Sequence, residues 1–81
     1  MKVPPALYGR AEEFRRLAQQ LKGDVEELRR EKQTAFESQS EEWRNSEQGH
    51  YLEDEIVLLE DFRDGLETVL NQMKGLFTSE S

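Results

Sequence analysis

Apolar residues recur along this chain at alternating intervals of four and three. Leu7, Ala11, Phe14, Ala18, Leu21, Val25, Leu28, Lys32 and Ala35 form one run, and only Lys32 interrupts it. Leu52, Ile56, Leu59, Arg63, Leu66, Leu70, Met73 and Phe77 form a second, interrupted only by Arg63. This rhythm keeps one face of an α-helix apolar and is the packing period of coiled coils. Nothing alternates with period two over a strand's length, and no Asn-Gly or Asp-Gly turn is present. The expected fold class is all-α: one domain over residues 1–81, folded as a long antiparallel hairpin of two helices.

Local signals set the expected boundaries. Pro4 and Pro5 suit a first helical turn, where the missing N–H has no helical partner. The first helix is expected over about 5–37, continuous through Gly23-Asp24 although Asp24 and Glu27 imitate a capping box. Residues 37–45 hold a single apolar side chain, Trp43, so 38–45 reads as a connector with room for one helical turn at 40–43. Ser46 is a good N-cap and Glu47 suits the positive end of a helix dipole. The second helix is expected over about 46–74, closed by Gly75 as a C-terminal cap with a frayed tail over 75–81.

The run Glu31-Lys32-Gln33-Thr34-Ala35-Phe36-Glu37, followed by Trp43-Arg44-Asn45-Ser46-Glu47, resembles the turn region of small acidic helical-hairpin proteins encoded by phages and mobile elements. The resemblance spans residues 28–70. It implies the hairpin fold and a phage or prophage origin, and it carries no activity or catalytic residue. Many members of that group have proline where Ser40 stands here.

The second helix is apolar beyond one seam. Phe62, Leu66, Val69 and Met73 make a further four-three line, flanked by Leu58 and Leu76. A single neighbouring helix covers only one side of so wide a face, whereas a four-helix bundle covers both. A homodimeric four-helix bundle is therefore expected. Its interface residues are Phe14, Leu21, Val25, Leu28, Ile56, Leu59, Phe62, Leu66, Val69, Leu70 and Met73. The alternative is a bent first helix covering both lines. Lys32 and Arg63 either reach solvent along their alkyl stems or meet a carboxylate across the helix pair.

Charge narrows the function classes. The 81 residues carry net charge -7, yet residues 1–36 sum to +2 and residues 37–67 to -9. A chain this acidic repels phosphates, so direct nucleic-acid binding is not expected. Basic flanks on the first helix would face acidic flanks on the second, either selecting the pairing or lying solvated. Cysteine is absent, which removes disulfides, thiolate metal sites and thiol nucleophiles, and fits a reducing, cytoplasmic setting. No secretory leader pattern and no membrane span is evident. Glu47 and His50 have the Glu-x-x-His spacing of helical di-metal sites, but position 50 lies off the apolar stripe and at the hairpin end. The serines fit capping roles, and the five glycines are scattered rather than gathered into a phosphate loop. No enzyme activity, metal or cofactor is expected.

Two roles remain. One is a self-associating structural or interaction module. The other is an inhibitor that imitates nucleic acid and blocks a basic host protein. Candidate partner-binding residues are Trp43, as a hot-spot aromatic or a plug for the turn end, and Glu53, Asp54, Glu60, Asp61 and Asp64.

Overall fold

The computed structural model describes residues 3–78. Among them the chain forms three helices: α1 (Pro5–Glu37), a single turn α2 (Glu41–Arg44) and α3 (Glu47–Thr78). The long helices lie side by side in a rod of 57 × 17 × 15 Å. Four ion pairs set their antiparallel register: Lys22 with Glu67 at 3.9 Å, Glu26 with Arg63 at 2.8 Å, Arg29 with Glu60 at 3.6 Å and Lys32 with Glu55 at 2.8 Å.

α1 begins on Pro5 behind Pro4 and runs unbroken through Gly23-Asp24. A Cβ at Gly23 would meet nothing within 4 Å. Gly23→Ala should therefore raise stability by about 1 kcal/mol, read as a higher urea midpoint, because alanine loses less backbone freedom on folding. α1 ends where Ser38 donates its N–H to the Thr34 carbonyl at 3.0 Å and its hydroxyl to the Ala35 carbonyl at 2.9 Å.

The connector is a compact corner. Ser40 caps α2, its Oγ accepting the Trp43 N–H at 3.2 Å. Ser46 then caps α3, its Oγ accepting the Gly49 N–H at 3.3 Å while donating to the Trp43 carbonyl. α3 therefore starts in earnest at Glu47.

One boundary corrects the sequence reading. α3 does not stop at Lys74; it passes Gly75 and continues to Thr78. A glycine cap needs positive φ, and no described glycine has it. The expectations for the Phe77 side chain and for a tail at 79–81 fall outside the described residues.

The hairpin's own core is slight. Among the described residues, the buried apolar side chains are Ala18, Val25 and Ile56. Removing a Val or Ile from water contributes about 1.5–3 kcal/mol, whereas ordering each residue's backbone costs about 1–2 kcal/mol. One Val, one Ile and one Ala supply little of what a fold of this length requires.

Candidate interaction surface

The contact between α1 and α3 divides the apolar stripe of α1. Ala11, Ala18, Val25 and Lys32 turn toward α3 and are buried or half-buried. Leu7, Phe14, Leu21 and Leu28, spaced seven apart, remain exposed, Phe14 at 49%. At 100° per residue these four point about 70° away from α3, with Leu17 about 120° away. α3 repeats the pattern. Leu52, Leu59, Leu66 and Met73 face α1 and are half-buried. Phe62 and Val69 lie about 75° to one side of that seam, with Tyr51 and Leu58 further round, and all four are exposed, Phe62 at 48%.

Handedness puts both exposed lines on the same side. The two helices run in opposite directions and face each other. An equal turn from the seam, counted in each helix's own sense, therefore points both lines the same way. One broad side of the rod carries Leu7, Phe14, Leu17, Leu21 and Leu28 from α1 beside Leu58, Phe62 and Val69 from α3. The opposite side carries Arg16, Glu26 and Arg30 beside Glu53, Glu60, Asp64 and Glu67.

The interface residues named from sequence thus fall into two sets. Val25 and Ile56 are already enclosed within one hairpin, and Leu59, Leu66, Leu70 and Met73 are partly so. Phe14, Leu21, Leu28, Phe62 and Val69 lie open. At the open end of the hairpin the helices also leave a cleft of about 540 Å³, bordered by Tyr8, Ala11, Arg15, Leu70 and Met73.

The polar side is organised by ion pairs. Glu26 accepts from Arg29 Nε at 2.8 Å and from Arg63 Nη1 at 2.8 Å, so it joins both helices. Arg63 and Lys32, the two breaks in the stripes, each meet a carboxylate across the pair. Arg29 first, and then Arg63, hold the Glu26 carboxyl below its ordinary range against an opposing effect of desolvation. A lowered carboxyl stabilises the fold fully above the ordinary glutamate value of about 4.3, and that contribution is lost as pH falls through the lowered one. Glu26→Gln should therefore melt at a lower temperature than the parent at neutral pH. The two melting curves should converge as the pH is taken below about 4.

The proposed partner-binding residues are placed unevenly. Glu53, Asp54, Asp61 and Asp64 are exposed. Glu53 and Asp64 lie on the polar side, and Asp54 and Asp61 on the outer edge of α3, one turn from Leu58. Glu60 is half-buried and engaged by Arg29. Trp43 is half-buried in the corner. His50 is exposed in the first turn of α3, and no group of three or more potential metal ligands occurs among the described residues. No described helix is long and apolar enough to cross a membrane.

Sequence reasoning passed over Gly49. A Cβ there would sit 2.4 Å from the Trp43 carbonyl oxygen and 2.3 Å from that of Arg44. A glycine three residues after the N-cap serine, where better helix formers are available, was the one signal for it.

No family model, curated protein or solved structure matches this chain.

Proposed function

We propose that the protein is a non-enzymatic structural or interaction module that works as a homodimeric four-helix bundle, joined through the apolar side of the hairpin. One observation carries this reading. The midlines of the apolar stripes point neither at the partner helix nor at solvent, but about 45° off the seam, on the same side in both helices. That is the direction of the axis of a four-helix bundle. Area supports it. A compact monomer of 9.5 kDa exposes about 5,000 Å². This chain exposes 6217 Å², an excess of about 1,200 Å², whereas a stable complex needs about 800 Å² from each partner. A second copy presents the same side, so two-fold symmetry can set exposed line against exposed line.

On the resemblance of its connector, the module is of phage or mobile-element origin; on its lack of cysteine, it acts in the cytoplasm. Sedimentation equilibrium tests the reading: a mass near twice 9.5 kDa is expected, nearly independent of salt. Phe62→Asp should return the species to 9.5 kDa or unfold it. A folded wild-type monomer at all concentrations would refute self-association.

A second reading rests on the exposed Glu53, Asp54, Asp61 and Asp64, which dimerisation leaves facing outward. Such an array suits an inhibitor that occupies the nucleic-acid site of a basic host protein. Its mark would be competition with DNA for that protein, weakening steeply with salt.

A further inference from the structure

We infer that the two copies lie head to tail, with α1 against the partner's α1 and the two connectors at opposite ends of the bundle. The inference rests on the self-association proposed above and specifies its geometry.

The side of α1 that would meet a partner carries, in order, Leu7, Arg10, Phe14, Leu17, Leu21, Asp24, Leu28 and Glu31. The three charged residues are exposed, and none has an ion-pair partner among the described residues. The corresponding side of α3 carries Tyr51, Glu55, Leu58, Phe62, Gly65, Val69 and Gln72, with no cation.

Two two-fold arrangements close the apolar sides on each other. In the first, both connectors lie at one end and α1 packs on the partner's α3. The register of the intrachain ion pairs then sets Asp24 level with Phe62 and Gly65 of the partner, and Glu31 level with the stretch from Glu55 to Leu58. Asp24 then loses water against an aromatic ring, and Glu31 comes level with Glu55, which Lys32 already engages at 2.8 Å, so neither acid gains a cation; the positions level with Arg10 lie outside the described residues.

In the second arrangement α1 runs antiparallel to the partner's α1. With the two-fold axis at Leu17, Arg10 comes level with the partner's Asp24, Phe14 with its Leu21, and Leu7 with its Leu28, but Leu58 and Phe62 then lie past the described end of the partner's α3. With the axis one turn on, at Leu21, Arg10 comes level with the partner's Glu31. In both registers the cation of one copy meets an acid of the other, and symmetry makes the pair twice. Exposed ion pairs contribute little affinity, but like and unlike charges at a rim choose between otherwise similar packings. The charges of α1 complement their own reverse, whereas Asp24 and Glu31 meet no cation on the corresponding side of α3.

The absence of cysteine permits a direct test. Gln39 is exposed beside the corner. Gln39→Cys, carrying a nitroxide, is expected to give a label-to-label distance of about 60 Å in the dimer, since each connector lies about 20 residues from the axis at 1.5 Å per residue. A distance of about 20 Å, set by the width of a bundle, would overturn the head-to-tail arrangement while leaving the dimer intact. A monomeric mass for the unlabelled chain would overturn the dimer itself, so the two failures are distinct. As a second readout, Arg10→Glu should raise the dimer dissociation constant about tenfold. Adding Asp24→Arg or Glu31→Arg should restore affinity, and whichever does so identifies the register. Failure of both to restore it would count against α1 meeting α1.

Discussion

Gly49→Ala is expected to cost about 3 kcal/mol or more and to lower the melting temperature by more than 10 °C. The methyl group would fall 2.3–2.4 Å from two backbone carbonyl oxygens of α2, and backbone cannot swing aside as a flexible side chain can. The corner must open, and overpacking of this kind costs about 1–3 kcal/mol even where side chains absorb it. Opening also stretches the bonds from Gly49 N–H to Ser46 Oγ and from Ser46 to Trp43, which close α3 onto α2. A domain of this size loses about 4–8 °C for each kcal/mol. The control is Gly23→Ala, the same chemical change in open space, with the opposite expected sign. A Gly49→Ala variant as stable as the parent would mean that the corner does not pack as described.

Leu59→Asp and Leu66→Asp should each abolish association and unfold most of the chain, seen together as loss of helical ellipticity and a fall in scattering mass. In a lone hairpin both side chains are only half-buried, so a carboxylate there would retain much of its water and cost little. In the four-helix bundle both positions turn toward the common axis. An unpaired charge at that axis costs several kcal/mol, comparable with the whole stability of a small domain. The size of the effect therefore separates the two states. A small loss in a protein that remains helical would argue for a monomer.

The sequence disclosed most where structure follows from local rules. Pro4-Pro5 and the polar stretch from Glu37 to Asn45 bounded α1 closely, since a helix begins and ends on short-range signals. The four-three stripes disclosed two helices and the surplus width of the apolar face. They did not reveal that α1 divides its stripe, with Ala18 and Val25 inward and Phe14, Leu21 and Leu28 open, because the direction of the seam depends on which helix lies alongside. Lys32 and Arg63 looked like defects until the register brought Glu55 and Glu26 opposite them. Gly75 misled because a glycine near a helix end reads as a cap, although its conformation here is helical. Gly49 went unread because its constraint is an approach between two helices.

The corner and the open end of the hairpin differ in how they are closed. Around the corner the two helices are tied by a short covalent link, so bringing them together there loses little chain entropy. Zippering toward the termini joins residues ever further apart in sequence, and it meets the cleft bordered by Ala11 and Leu70 rather than a dense core. Leu7, Phe14 and Leu17, exposed on α1, lie toward that same end. The part of the chain least able to hold itself shut is thus within the face offered to another molecule. Amide hydrogens near Ala11 and Leu70 should exchange fastest at low protein concentration and slow as concentration rises, while those around Ser46 stay nearly constant. The partner would then act as the clasp on a hinge that the covalent chain closes only at its far end.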